Sequence, residues 1–170
     1  MPTRSLSTFL TLLLLASLDW VSKLVVLLKS CQLSPHSPAL LYSYVWGHFS
    51  FLITPSFNEG AAFGLFAQHK VPLLIFRICV ILGLSLFLGI KYRSLHTRTR
   101  IALTLILAGA LGNVGDIALH GRVVDFLSLN YYSWSFPSFN LADTFISAGT
   151  LLLVGHLYFS RVLVLGRKQE

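Results

Sequence analysis

Six acidic residues occur among 170, and four of them, Asp19, Asp116, Asp125 and Asp143, stand in or at the ends of strongly apolar stretches. A carboxylate at the middle of a membrane span costs about 2.5–3.5 kcal/mol on insertion scales, so acids in such places need partners or a function. Asp125 and Asp143 are separated by a connection short enough to fold back on itself. Two carboxylates held close cannot both ionise easily, so one keeps a proton while the other stays charged. Such a pair can activate water against a carbonyl: the carboxylate takes the water's proton and the acid polarises the oxygen. No other hydrolytic apparatus competes. GxSxG and HExxH are absent, and the six histidines (36, 48, 69, 96, 120, 156) show no ligand spacing. No metal site is expected.

Each polar residue also has a structural explanation when taken alone. Asp19 and Lys23 are spaced i, i+4 in the favourable order for a local ion pair. Asn140 can cap a helix whose first turn carries Asp143 facing the dipole. Asp125 can pair with Arg122, and Asn113 can make an interhelical hydrogen bond. What argues for chemistry is that all of them fall at one level of the fold.

That level follows from the elements. Hydrophobic residues make up 55% of the chain and charged ones 11%, which excludes a compact soluble enzyme, a disordered tail and a conventional nucleic-acid binder. Four apolar stretches are long enough to cross ~30 Å of hydrocarbon. They run from about Leu6 to Leu28, Val71 to Ile90, Ile101 to about Leu119, and Phe139 to Leu165. Lys91, Arg93, Arg98 and Arg100 crowd one short loop, and Arg167 and Lys168 follow the last span. The net charge of +7 therefore reads as topology, with both termini and the basic loop cytoplasmic. Asp19, Lys23, Asn113, Asp116, Asp125, Asn140 and Asp143 then all converge on the outer leaflet. The first span has the basic start of a signal peptide, but its apolar pattern continues past Lys23 without a cleavage site, so a retained span is expected. Cys31 and Cys79 are expected at different depths, unpaired, as packing residues. Leu41–Thr54, bounded by Pro38 and Pro55, reads as one or two short strands resting on the membrane surface. Tyr131–Phe139 reads as a second interfacial aromatic cluster. The expected fold is an all-α membrane protein: four transmembrane helices, a small extracytoplasmic β-cradle and a short interfacial segment. One integral-membrane domain over 1–170 is expected, with a β-rich insertion at about 30–69.

Five blocks now form a pattern. They are Asp19-Trp-Val-Ser-Lys23, Asn58-Glu-Gly-Ala-Ala-Phe-Gly64, Gly112-Asn-Val-Gly-Asp116, Val123-Val-Asp-Phe126 and Phe139-Asn-Leu-Ala-Asp143. Their order and content resemble the lipoprotein signal peptidases (signal peptidase II). The resemblance implies an aspartic endopeptidase of the bacterial cytoplasmic membrane. It would remove signal peptides from prolipoproteins, cutting before a cysteine that carries diacylglycerol. It also implies Asp125 and Asp143 as catalytic residues, and Asn58, Gly60, Asn113 and Asn140 as residues that hold substrate backbone. Asp19, Lys23 and Asp116 would support the site. One position departs: Ile117 follows Asp116 where the family usually carries arginine, and Arg122 is the base that could substitute. The implied partners are diacylglyceryl-prolipoproteins and membrane lipid, with no nucleic acid and no cofactor, and the chain acts as a monomer.

Two readings from other classes compete. A small proton-coupled transporter would spread ionisable groups through the membrane's depth, and here Arg77 and His156 are the nearest inner-leaflet exceptions. A non-enzymatic subunit would use its acids only to hold helices together.

Overall fold

A computed structural model describes residues 2–34, 36–59 and 69–166. Its four long helices are α1 (Pro2–Leu33), α2 (Lys70–Lys91), α3 (Thr97–His120) and α4 (Leu141–Gly166). All four are long and apolar enough to cross a membrane. Four strands, β1 (Tyr42–Trp46), β2 (Phe49–Asn58), β3 (Val123–Tyr131) and β4 (Trp134–Ser135), form one antiparallel sheet in that order. The sheet sits at the end of the bundle where α1 and α3 stop and α4 begins.

The centre of the bundle is α3, which packs against each of the other three helices. Hydrocarbon solvates leucine as well as a protein core does, so helices in a membrane associate through close backbone approach and polar contacts. The α3–α4 seam has the small residues this requires. A Cβ on Gly109 would run into the carbonyl of Ala142, and one on Gly112 would lie 2.5 Å from Asp19 Oδ2. Ala102 and Ala142 along the same seam are wholly buried, as is Ala108 elsewhere on α3. By contrast, α2 buries only Ile81 and Leu88 and leaves Ile75, Phe76, Leu82, Leu86 and Ile90 exposed, the surface of a lipid-facing helix.

Gly121 ends α3 in the left-handed conformation at φ 70°, its N–H donating to Ile117 O at 2.9 Å. That cap turns the chain into β3 within two residues. The segment after α3 is therefore more than an interfacial connection, because β3 pairs with β2 along most of its length. Its first residues, Val123–Phe126, are buried on both faces and show none of the alternation that betrays a half-buried strand. The aromatic residues expected at an interface, Tyr131, Tyr132, Trp134 and Phe136, are exposed.

β2 does not stop at Pro55. Between Ile53↔Leu127 and Ser56↔Asp125 the register slips by one residue, a bulge holding Thr54 and the buried Pro55. Proline has no N–H for a ladder, and a bulge is where a strand accommodates it. Beyond the bulge Ser56 pairs with Asp125, and Asn58, two residues on, shares that face. The two cysteines are free, as expected, but both are exposed on their helices and neither packs inside.

Candidate active site

Asp125 comes from β3 and Asp143 from the first turn of α4. Phe139 joins them by an isolated bridge to Leu127, accepting the Phe126 and Leu127 N–H groups at 3.0 and 2.9 Å. That bridge sets Asn140 beside Asp125. The Asn140 side chain is completely buried and contacts both halves of the pair. Its Nδ2 donates to Asp125 Oδ1 at 2.7 Å, and its Oδ1 accepts the Asp143 N–H at 2.9 Å. Asp143 Oδ2 accepts the Asn140 N–H in return at 3.3 Å, a reciprocal cap of the α4 N-terminus. The capping expectation for this pair therefore holds, alongside its contact with Asp125.

The remaining side-chain donors come from two elements, β2 and α3. Asn58 Nδ2 on β2 donates to Asp125 Oδ2 at 3.2 Å. Asn113 Nδ2 on α3 donates to Asp143 Oδ1 at 2.8 Å. The Asn113 amide can face only one way, because its Oδ1 already accepts from Lys23 Nζ at 3.2 Å and from Asn140 Nδ2 at 3.1 Å. Gly60 lies outside the described residues.

Below this layer is an ionic brace. Lys23 Nζ meets Asp19 Oδ2 at 2.6 Å and Asp116 Oδ2 at 2.8 Å, all three side chains being almost wholly buried. The expected local pair is thus part of a larger network. Asp19 Oδ1 accepts the Ala142 N–H at 2.8 Å and so ties α1 to the start of α4. Asp116 Oδ2 accepts the Val124 N–H at 3.1 Å and ties α3 to the start of β3. Among the described residues no buried side-chain nitrogen or oxygen lacks a partner.

Both aspartates line a cavity of about 560 Å³ between α2 and α4. Ile146, Ala148 and Leu151 line it from α4, Phe136 and Phe139 from the preceding segment, and Arg77 from α2. Arg77 corrects the sequence reading. It is seven residues into α2, about 10 Å along the helix from Lys70 on the side of the sheet, and it contributes to the aspartate cavity. Asp143 lines the same cavity. His156, by contrast, stacks on His96 at the far end of the bundle. Arg122 does not pair with Asp125; its guanidinium lies 3.7 Å over the Phe57 ring. Ile117 is half-buried near the end of α3.

Burial, and after it the negative charge of Asp143, push the Asp125 carboxyl up to about 7, against the opposing pull of Asn58, Asn140 and the Lys23 cation. A carboxyl that retains its proton near neutral pH, beside a second carboxyl with two hydrogen-bond donors, can act as an acid–base pair on a bound carbonyl. Among the described residues no group of three or more His, Cys, Asp or Glu could hold a metal ion.

The family model described as signal peptidase (SPase) II matches residues 11–159. A lipoprotein signal peptidase of Chlamydia muridarum (strain MoPn / Nigg) is 88% identical over 161 residues, covering 95% of this chain and 96% of that protein. One from Chlamydia pneumoniae is 54% identical over 159 residues, covering 94% and 95%. A solved bacterial membrane enzyme, determined in meso at 2.3 Å, superposes with a TM-score of 0.71 at 29% identity, covering 91% of this chain and 89% of that one.

Proposed function

The chain belongs to the signal peptidase II family, a family of multi-pass membrane peptidases, and from that membership we propose that it is an aspartic endopeptidase acting on diacylglyceryl-modified prolipoproteins. Cleavage falls immediately before the lipidated cysteine. The observation that carries this reading is the pairing of Asp125 and Asp143 through Asn140 at the mouth of a cleft between α2 and α4. Asp143 accepts a proton from water as the water attacks the scissile carbonyl, while the Asp125 carboxyl donates its proton to the carbonyl oxygen. Collapse of the tetrahedral intermediate returns that proton to Asp125, and Asp143 delivers its own to the leaving amine. Asn58, Gly60 and Asn113 hold substrate backbone. Asn140, wholly buried with both amide atoms bonded within the protein, positions the two aspartates instead, and Asp19, Lys23 and Asp116 keep the frame rigid. The apolar wall of Ile146, Ala148 and Leu151 gives acyl chains a side exit toward lipid.

The setting of this reading is the bacterial cytoplasmic membrane, with both termini and the Lys91–Arg100 loop cytoplasmic and the sheet outside. The chain works there as a single monomeric domain. Neither a transporter nor a purely structural subunit needs one carboxyl tied by a buried asparagine to the residue that carries a second, inside a substrate-sized cleft.

The direct test is incubation of the purified protein with a diacylglyceryl-cysteine precursor and with its unlipidated counterpart, products being sequenced by mass spectrometry. A cut before cysteine in the lipidated precursor alone is the expected result. No cleavage, or equal cleavage of both, overturns the reading.

The raised Asp125 carboxyl fixes the sign of the pH dependence. Rates should fall as pH rises through about 7, where the acid loses its proton, in a limb that belongs to the pair and not to one residue. Stability should move the same way. Between the ordinary carboxylate range and about 7 the folded protein holds a proton that the unfolded chain has released, so raising pH across that window weakens folding. A kcat/KM that is flat from pH 6 to about 9 would contradict the assignment.

Arg77 supplies a positive charge to the cleft that Asp143 also lines. Arg77→Gln should lower kcat/KM by roughly tenfold, the equivalent of one modest charge interaction in a half-buried site. Arg77→Lys should recover most of it. Wild-type kinetics in the glutamine variant would mean that the arginine only lines the wall.

A further inference from the structure

At the end of the bundle away from the aspartates, two grooves meet and share three residues. The larger, of about 980 Å³, is lined by Leu12 from α1, Leu88 and Gly89 from α2, and Leu107 and Leu111 from α3, with Arg93 at its mouth. The smaller, of about 450 Å³, lies between α1 and α3 and includes Leu15, Ile101 and Leu105. Thr8, Tyr92 and Arg100 line both. Tyr92 is fixed there by a 2.9 Å hydrogen bond between its hydroxyl and Thr8 Oγ1. Arg100 lies 5.1 Å over the Tyr92 ring, and its NH2 donates to Thr97 Oγ1 at 2.9 Å.

Polar mouth and apolar floor suit an amphiphile, and charge selects which one. The loop and first turn from Lys91 to Arg100 carry four bases and no acid. Among the described residues, the ion pairs do not involve Arg93 or Arg100. Both guanidiniums are fork-shaped donors matched to phosphate oxygens. Arg100 also sits in the first turn of α3, where the helix dipole adds to the positive field. From Arg100 to Leu111 along α3 is about 16 Å, close to the hydrocarbon depth of one leaflet. A basic peptide would be repelled here.

We propose that these joined grooves are a binding site for one anionic diacyl phospholipid. Its phosphodiester is held between Arg93 and Arg100, and its two chains lie on either side of the Tyr92–Thr8 pillar. The site is independent of the peptidase reading and needs no peptide substrate.

Gly89 allows a test that leaves every charge in place. It lines the larger groove, and a Cβ built on it meets nothing within 4 Å, so a side chain there fills the groove and not the core. The purified full-length protein would be examined by native mass spectrometry and thermal unfolding with phosphatidylglycerol, with phosphatidylcholine of the same chains, and with inorganic phosphate. Phosphatidylglycerol alone should be retained and should raise the melting temperature. Arg93→Gln/Arg100→Gln should weaken that retention by roughly tenfold or more, two surface bases being lost. Gly89→Leu should also reduce it. Lys91→Gln/Arg98→Gln removes the same charge from residues that line neither groove, and should leave retention largely intact. Equal loss in the two charge variants would reduce the effect to general attraction and overturn the site. Wild-type retention in Gly89→Leu would overturn the placement of the chains, and an equal shift with inorganic phosphate would overturn the lipid as its source.

Discussion

Asp125→Asn and Asp143→Asn should each reduce cleavage of a lipidated precursor by roughly 10³-fold or more, the scale of a lost general acid or base, while leaving the protein folded. Asparagine is close to isosteric with aspartate and cannot take or give the proton. Folding should survive because neighbouring amides can adapt. At position 125 the new NH2 group would meet Asn58 Nδ2, which now donates to Asp125 Oδ2. Rotation of the Asn58 amide presents its oxygen instead, and the bond from Asn140 Nδ2 to the retained oxygen can persist. At position 143 the retained oxygen can still accept from Asn113, as Oδ1 does now. Thermal unfolding in detergent alongside the assay separates the outcomes. Residual activity within about tenfold of wild type in either variant would end the two-aspartate mechanism. Loss of folded protein in both would return these acids to a capping role.

The second large effect belongs to Lys23. Lys23→Met should destabilise the protein by about 3–5 kcal/mol, the usual result of stripping one partner from a buried ion pair. The strain falls on Asp19 and Asp116, which lose contacts of 2.6 and 2.8 Å and have almost no access to water. These carboxylates also hold the N–H groups of the second residues of β3 and α4, so the starts of β3 and α4 should loosen together. A triple variant, Lys23→Met with Asp19→Asn and Asp116→Asn, should recover much of the loss, because neutral amides can accept the Val124 and Ala142 N–H bonds without a buried charge. A melting temperature for Lys23→Met unchanged from wild type would show that the brace is not what holds the frame.

Much of this could be read from the residues themselves. The four spans announce themselves by length and apolarity, and the acids inside them are costly enough to require an explanation. The i, i+4 spacing of Asp19 and Lys23 gave the pair, but Asp116 joins it from α3, a contact that no local spacing contains. A lone base in an apolar run reads as an isolated exception, and only the cavity between α2 and α4 shows that Arg77 shares it with the aspartates. β3 was hidden for a different reason. Val123–Phe126 is buried throughout, and its partner β2 lies some 67 residues away in the chain, as between Asn58 and Asp125. Pro55 looked like the end of a strand because proline usually is one. The alternation of β2 then changes phase at the bulge, so counting forward from Phe51 puts Asn58 on the wrong face.

That change of phase has a consequence for how this strand can vary in length. β2 takes five steps from Ile53 to Asn58 where β3 takes four from Leu127 to Val123. Losing Pro55 makes the counts equal, giving a regular ladder with both ends unmoved and Asn58 still beside Asp125, whereas losing Thr54 would leave the proline inside that ladder. Gaining one leaves a surplus of two, more than the one extra residue an ordinary bulge holds. The excess must then pass to the pairing itself, where a slip of one residue turns the Asn58 amide away from Asp125 and brings a neighbour to its place. Shortening is tolerated where lengthening is not, and Thr54–Pro55 acts as one link of slack in a chain otherwise pulled taut.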